Sequence, residues 1–116
     1  MEQWNLLGII GVISAFNFQC TVLGWNQAFA LACGNVTLRK GAPTTPLISI
    51  ATTKIIERVL TRNSLPGGLL SMICGGNNIG KSMCEDKRIP LVSFTGSCQA
   101  GKQVAQTVQA RFDKKF

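Results

Sequence analysis

Four short runs of apolar and β-branched residues alternate along the chain with four longer stretches whose apolar residues recur at helical spacing. The first run, Ile9–Ile13, is apolar at both alternating positions, which is typical of a strand buried on both faces. Further strands are predicted over 35–39, 69–73 and 90–94. Such alternation with short connections predicts an α/β fold with a parallel sheet.

The stretches between the strands carry helix start and stop signals. The first helix is predicted over 22–33 and ends at Gly34, and the second begins with Thr45 as N-cap and Pro46 as first helical residue. A third, short helix ends near Cys84. Ser97 is predicted to cap the last helix, which places Val104, Val108 and Phe112 on one face. The fold class predicted is a Rossmann-like, doubly wound parallel sheet of four strands alternating with four helices.

Composition excludes several classes of site. The 116 residues suit one domain, and with 46% hydrophobic residues a disordered chain is not expected. Histidine is absent, which removes His-based catalytic triads and His-containing zinc sites, so no metal site is predicted. The five cysteines include no CxxC pair, and we expect most to be reduced core residues of an intracellular protein.

Charge and hydropathy limit the kinds of binding partner that the sequence predicts. The net charge of +7 would suit a nucleic-acid binder, but the basic residues are scattered and do not interleave with aromatic residues. Nucleic acid is therefore not predicted as a partner. The apolar segment 6–18 is too short to span a membrane and lacks signal-peptide features, so no membrane association is predicted.

Ligands of doubly wound sheets bind at the carboxyl ends of the strands, which here are the loops after Ile13, Lys40, Ile73 and Phe94. Two of these loops, 75–80 and 96–101, are glycine-rich and open a helix, a form that suits phosphate. Ordinary turns would explain each loop alone, but two in one parallel sheet favour a dinucleotide or phosphate ligand.

Three further residues have two interpretations each on sequence grounds. Lys40 is either a ligand-binding charge at the end of a strand or a solvated charge at a sheet edge. Asn17, between two phenylalanines, is either a turn residue or an amide in an apolar surrounding that stabilises an oxyanion. Trp25 is either a core or a pocket aromatic.

Seven short segments together resemble one enzyme family. They read Glu-Gln-Trp-Asn (2–5), Ala-Phe-Asn-Phe (15–18), Gly-Trp-Asn (24–26), Cys-Gly-Asn-Val (33–36), Lys-Gly-Ala-Pro-Thr-Thr (40–45), Cys-Gly-Gly (74–76) and Ser-Phe-Thr-Gly-Ser (93–97). Through these segments the whole chain resembles the aldehyde dehydrogenase superfamily, and within it the antiquitin (α-aminoadipic semialdehyde dehydrogenase) branch. The resemblance implies NAD(P)-dependent oxidation of an aldehyde to a carboxylic acid.

The resemblance also implies roles for individual residues. Asn17 corresponds to the side-chain half of the oxyanion hole, and Trp25 to an aromatic lining the aldehyde tunnel. The implied cofactor-binding residues are Ser14, Ala15 and Phe16 after the first strand, Lys40 at the adenosine ribose, Gly80 and Lys81 beside the adenine half, and Gly96 and Ser97 at the pyrophosphate. NAD is the implied cofactor, with NADP not excluded.

Three positions depart from the family pattern. Gln19 replaces a proline common after Asn-Phe, which puts the rigidity and aim of Asn17 in question. Pro43 stands where many relatives outside this branch have a glutamate that holds both ribose hydroxyls, so NAD and NADP are not separated by this feature. Cys98 stands at a position commonly occupied by threonine, a change that the loop should tolerate.

The resemblance further implies that residues 1–116 are a partial NAD(P)-binding domain without the catalytic domain. None of the five cysteines corresponds to the family nucleophile, and the general-base glutamate is not present, so this segment is expected to be inactive alone. For the complete enzyme, the resemblance implies an aldehyde substrate, assembly into a homotetramer and a cytoplasmic or mitochondrial location. The alternative to a dehydrogenase function is that this segment is a non-catalytic fragment that serves in nucleotide binding or in interaction.

Overall fold

The computed structural model describes residues 1–3 and 5–111, and the predicted core position Phe112 lies outside them. The strands are β1 (Ile9–Ile13), β2 (Val36–Lys40), β3 (Leu70–Ile73) and β4 (Leu91–Phe94). The helices are α1 (Gln19–Ala32), α2 (Pro46–Arg62), α3 (Asn77–Glu85) and α4 (Cys98–Ala110), with a 3₁₀ turn at Gly67–Leu69. The predicted alternation of strands and helices is confirmed.

All four strands of this sheet are parallel, in the order β3-β2-β1-β4. Gly11 in β1 pairs with Leu38 of β2 on one side and with Val92 of β4 on the other. Because the chain moves outward from β1 through β2 to β3 and then returns to the other side for β4, the order of strands reverses between β1 and β4. The doubly wound topology predicted from the sequence is confirmed.

The helices cover both faces of the sheet. Successive residues of a strand face opposite sides, and Ile10 and Val12 of β1 pack with Ala30 of α1. Ile13, on the other face, packs with Met83 of α3. Helix α2 packs beside α1, and α4 packs beside α3. The apolar character of β1 at every position is therefore explained by helices on both of its sides.

Turn chemistry sets several element boundaries. Gly34 adopts a left-handed φ of 77° directly after α1, and its N–H donates to the Leu31 carbonyl, which confirms the predicted helix stop. Helix α1 begins at Gln19, three residues before the predicted start. Strand β2 begins one residue after the predicted start, because the Asn35 backbone N–H donates to the Ala30 carbonyl of α1 at 2.9 Å. The Asn35 side-chain oxygen accepts from the N–H groups of Leu7 at 2.8 Å and Gly8 at 3.0 Å.

Candidate functional site

The carboxyl ends of three neighbouring strands are tied together by backbone hydrogen bonds. The Ser14 N–H, just after β1, donates to the Lys40 carbonyl of β2 at 3.2 Å. The Thr95 N–H, just after β4, donates to the Ile13 carbonyl at 2.9 Å. The loops after β1, β2 and β4 are therefore held side by side at the reversal of strand order.

Lys40 is buried at this edge of the sheet. Its methylene chain runs over Gly80 of α3, because a β-carbon placed at Gly80 would lie 3.5 Å from the lysine Cδ and 3.6 Å from Cε. The lysine Nζ donates to the Gly41 carbonyl at 3.2 Å, and burial lowers the pKa of Lys40 below its ordinary 10.5. The interpretation of Lys40 as a solvated edge charge is wrong, since β2 is an inner strand and the side chain is covered.

A cavity of about 510 Å³ opens between α3 and α4. Ile13 and Phe94 contribute to it from the strand ends, and both Gly80 and Lys81 line it from α3. Lys81 also pairs with Glu85 one turn later, at 3.7 Å and with both side chains largely exposed. The structure thus brings Gly80 and Lys81, predicted as neighbours of the same ligand, to one cavity wall next to Lys40.

The loop after β4 has the geometry predicted for a helix start. The Ser97 hydroxyl accepts from the Ala100 N–H at 3.2 Å, so Ser97 caps α4 as expected. A β-carbon at Gly96 would lie 2.6 Å from Cζ of Phe94, so only glycine fits there without a shift of the aromatic ring. The first turn of α4 contains no acidic residue, which leaves its N–H dipoles free to attract an anion. Ala100 of this turn lines the cavity, whereas Gly96 and Ser97 do not.

The loop after β1 presents Asn17 on a surface turn. Asn17 is exposed, and within the described residues its side chain makes no hydrogen bond. Phe16 and Phe18 on either side are 65% and 74% exposed, so the apolar surrounding expected of this amide is not formed by this segment. Ala15 is half-buried and Ser14 is buried, and the Ser14 hydroxyl finds no partner among residues 1–3 and 5–111.

Trp25 and most cysteines are not in the core. Trp25 is 63% exposed on α1, so the interpretation of this residue as a core aromatic is wrong. Cys84 is buried, which raises the pKa of its thiol, but the other four cysteines are exposed and all five are free. The expectation that most cysteines fill the core is therefore wrong. Helical spacing alone did not separate the inner from the outer face of α1.

Two polar residues are buried beside the site: Gln19, which the sequence marked only as a departure from the family pattern, and Arg39, which the sequence did not single out. The Gln19 side-chain oxygen accepts from Arg39 Nη2 at 2.9 Å and from the Ser49 hydroxyl at 2.8 Å. Its amide nitrogen donates to the Thr45 hydroxyl, which makes no capping bond to α2 although Thr45 stands at the predicted N-cap. The available signal was an arginine within the predicted strand 35–39. This signal does not identify the arginine's partner.

A larger hollow of about 760 Å³ lies on the α1 face and contains none of the predicted site residues. Its walls include the apolar residues Leu6, Phe29 and Leu91, and none of the described residues that line it is charged. Without a charged side chain among them, these walls offer no counter-charge to a charged ligand. No group of three potential metal ligands occurs in the part of the chain that is described, and no described helix is both long and apolar enough to cross a bilayer.

Comparison with protein families gives a match to the aldehyde dehydrogenase family model over residues 1–116. The chain is 60% identical over 116 residues to rat α-aminoadipic semialdehyde dehydrogenase, covering 100% of this chain and 22% of the relative. It is 59% identical over 114 residues to aldehyde dehydrogenase family 7 member B4 of Arabidopsis thaliana, covering 98% of this chain and 22% of the relative. The chain thus spans about a fifth of the length of these curated relatives.

Solved structures give the same picture of the fold. Glyceraldehyde-3-phosphate dehydrogenase GapN from Methanocaldococcus jannaschii, complexed with NADP, matches with a TM-score of 0.84 and 30% identity, over 88% of this chain and 23% of that one. Succinate-semialdehyde dehydrogenase from Burkholderia pseudomallei matches with a TM-score of 0.82 and 28% identity, over 94% of this chain and 22% of that one.

Proposed function

Because this chain belongs to the aldehyde dehydrogenase family, we propose that residues 1–116 form part of the NAD(P)-binding domain of an enzyme that oxidises α-aminoadipic semialdehyde to the carboxylic acid. The observation that carries the proposal is the stacking of Lys40 on Gly80 beside the 510 Å³ cavity. This arrangement brings a buried ammonium group close to a cavity at the ends of β1 and β4, where strand order reverses, and such sheets bind nucleotides at this position.

The residues at this edge fit a dinucleotide. The buried Ser14 hydroxyl has no partner within the described residues, so a ligand that reaches the end of β1 can supply one. Gly80, which lines the cavity, contacts the methylene chain of Lys40. The first turn of α4 contains no acidic residue and offers its backbone N–H groups to a phosphate. When bound, the dinucleotide supplies the hydride acceptor of the reaction.

Each part of the site has a separate task in this proposal. Lys40 donates to the adenosine ribose, and the cavity wall with Gly80 and Lys81 takes the adenine half. The Gly96–Ser97 loop holds the pyrophosphate through backbone N–H groups. Ser14, Ala15 and Phe16 contact the cofactor along the loop after β1. These contacts orient the cofactor, and the reacting aldehyde approaches from the side of Asn17.

Asn17 acts on charge that develops during the reaction. Its side-chain amide donates to the oxyanion that forms when a thiolate attacks the aldehyde carbonyl, and its freedom from internal hydrogen bonds in the described part of the chain leaves this donor available. Trp25 lines the aldehyde tunnel once the remainder of the enzyme covers its exposed face. The attacking thiol and the general base are not among residues 1–116.

We infer NAD as the cofactor, with NADP also accepted. Pro43 carries no carboxylate to repel a 2′-phosphate, and the nearby Lys40 and Lys81 would attract one. The enzyme acts as a homotetramer in the cytoplasm or the mitochondrion, where its free thiols stay reduced.

The test requires a complete dehydrogenase around this segment. In rat α-aminoadipic semialdehyde dehydrogenase, the matched stretch is replaced by residues 1–116, giving what we call the grafted enzyme. Binding of NAD and NADP is measured by calorimetry, and NADH formation is measured with α-aminoadipic semialdehyde. We expect the unsubstituted grafted enzyme, called the parent below, to bind NAD and to turn over the aldehyde. The Gly80→Leu variant should lose NAD binding, because the leucine side chain displaces Lys40.

Gly68→Leu is the matched control, because a β-carbon at Gly68 has no atom within 4 Å. It should bind NAD as the parent does. Equal binding by the Gly80→Leu and Gly68→Leu variants would overturn the proposed cofactor site.

A further inference from the structure

Gln19 joins three elements around the start of α1. As the first residue of α1, it bonds Arg39 of β2, Ser49 of α2 and Thr45 just before α2. The Arg39 Nη2 also lies 3.4 Å from the Gln19 backbone carbonyl. We call these four residues, Gln19, Arg39, Thr45 and Ser49, the Gln19 cluster.

The cluster adjoins two parts of the proposed site along the chain. Gln19 is two residues after Asn17 in the chain, and Arg39 immediately precedes Lys40. Gly41, which follows Lys40, has no room for a side chain because a β-carbon there would collide with the Ser49 hydroxyl and approach the Gln19 side-chain oxygen at 3.1 Å. The cluster therefore packs against the end of β2 as well as against the turn after β1.

The turn that the cluster supports is strained. Phe18 has a left-handed φ of 53° although it is not a glycine, a conformation that persists only when neighbouring contacts enforce it. On one side, the Phe18 carbonyl accepts from the Val22 N–H at 2.9 Å. On the other side, the next residue is Gln19, whose side chain is fixed by Arg39, Ser49 and Thr45. The Gln19 contacts are thus the side-chain anchor nearest to Asn17.

Arg39 depends on Gln19 in turn. The guanidinium is fully buried, and both its Nε and its Nη1 are without a partner among the described residues. Its hydrogen bonds run from Nη2 to the side chain and the backbone of Gln19. A buried guanidinium with so few acceptors depends on the Gln19 side chain, because losing a hydrogen bond to a buried charged group is costly.

We propose that Gln19 and Arg39 are positioning residues that fix the turn presenting Asn17 relative to the end of β2 presenting Lys40. The proposal rests on the proposed function, since it assigns Asn17 to the oxyanion and Lys40 to the cofactor. Gln19 therefore replaces by hydrogen bonding the rigidity that a proline at this position would give through its ring. The question raised by the sequence about the aim of Asn17 is answered by this cluster.

The experiment compares two buried glutamines of the same helix in the grafted enzyme. Gln19→Leu removes the cluster's central acceptor. Gln27→Leu is the matched control, because Gln27 is equally buried and also links α1 to β2, donating to the Thr37 hydroxyl at 3.2 Å. Gln27 lies about two turns further along α1 than Gln19. We expect Gln19→Leu to lower kcat about tenfold, less than loss of an oxyanion donor itself, with the NAD dissociation constant within about twofold of the parent. Gln27→Leu should lower the apparent Tm but leave kcat unchanged.

A conservative variant and a background test complete the experiment. Gln19→Glu keeps an acceptor for Arg39 and Ser49 and should retain the parent kcat. In the Asn17→Ala background, Gln19→Leu should have no further effect on kcat, because Gln19 acts through Asn17. If Gln19→Leu is too unstable to purify, the double variant Gln19→Leu/Arg39→Met removes the stranded cation and should show the same tenfold loss.

The inference is overturned if Gln19→Leu and Gln27→Leu have the same kcat, or if Gln19→Leu lowers kcat equally in the parent and in the Asn17→Ala background. Failure of the proposed function would look different: Asn17→Ala alone would then leave kcat at the parent value.

Discussion

The side chain of Lys40 crosses α3 at Gly80, with its Cδ 3.5 Å from the position that a β-carbon of residue 80 would occupy. The two residues are 40 positions apart in the sequence and belong to β2 and α3. A β-carbon at position 80 would make ordinary van der Waals contact with the lysine stem, whereas a longer side chain such as leucine would collide with it.

Lys40→Ala should weaken cofactor binding in the grafted enzyme. A hydrogen bond to a charged group contributes about 1.5–3 kcal/mol, so the dissociation constant of NAD should rise on the order of tenfold to a hundredfold. The KM for the aldehyde should change much less, since the aldehyde enters from the side of Asn17. Calorimetric titration with NAD measures the first effect and steady-state kinetics the second.

The control for this prediction is Lys54→Ala. Lys54 is exposed on α2 and pairs with Glu57 at 2.7 Å, away from the cavity. Its removal should leave the NAD dissociation constant unchanged. A similar rise for both variants would show that net charge, and not the placement of Lys40, determines cofactor affinity.

Asn17→Ala should show the reverse pattern. Loss of an oxyanion donor reduces kcat by roughly 10²–10³-fold, whereas the exposed Asn17 side chain makes no internal hydrogen bond whose loss would disturb the described fold. The NAD dissociation constant should stay near the parent value. Stopped-flow measurement of NADH formation checks the rate. Asn63→Ala, at the carboxyl end of α2, provides a control with unchanged kcat.

The sheet was predictable from the sequence because its signal is local. β1 is apolar at every position, and glycine and serine at the helix ends mark turns whose geometry depends on few neighbours, as Gly34 and Ser97 show. Parallel topology then places the loops after Ile13, Lys40, Ile73 and Phe94 at one edge, whereas Gly80 and Lys81 were assigned to the site only by the family resemblance.

What could not be predicted depends on contacts between distant parts of the chain. Arg39 has a polar side chain in a buried strand, and only its partner Gln19, 20 positions away in sequence, shows why it can be buried. Trp25 and four of the cysteines have apolar side chains on outward-facing positions, and periodicity does not tell which face of α1 packs on the sheet.

Asp86 should make stability depend on acid pH. Hydrogen bonds from the Arg88 side chain, at 2.6 Å from Nη2, and from the Arg88 backbone N–H lower the pKa of Asp86 from 3.8 to about 2. Because the pKa is lower in the folded state, the stabilisation is complete above about pH 4 and is lost as the pH falls from 4 towards 2. Asp86→Asn should therefore have a lower apparent Tm than the parent at pH 6, with a difference that shrinks below pH 4.

Arg88→Gln tests the cause of this effect, since it removes the donor and leaves the carboxylate. Its Tm difference from the parent should follow the same pH profile as that of Asp86→Asn. A difference that stays constant from pH 6 to 3 in both variants would contradict the role of the Asp86–Arg88 pair.

A polypeptide of residues 1–116 alone should self-associate. Helix α2 exposes Leu47, Ile55 and Val59, and α1 exposes Phe29. Apolar side chains therefore remain uncovered on these two helices. Exposed apolar patches drive association in water. Analytical ultracentrifugation at micromolar concentration should show oligomers or aggregates, whereas a single monomeric species that melts cooperatively would contradict the prediction.

The Gln19 cluster makes a stability prediction that is separate from its effect on catalysis. Gln19→Leu removes the side-chain oxygen that accepts from the buried Arg39 guanidinium and leaves it only the more distant backbone carbonyl of residue 19 among the described residues. Loss of a hydrogen bond to a charged group costs about 1.5–3 kcal/mol. Arg39→Met removes the charge together with its desolvation penalty, and Gln19 keeps its bonds to Ser49 and Thr45. In thermal melts of the grafted enzyme, the apparent Tm should therefore fall most in Gln19→Leu, least in Arg39→Met, and should recover in the double variant relative to Gln19→Leu. Equal and additive losses in the two single variants would mean that Arg39 does not depend on Gln19, because independent sites add.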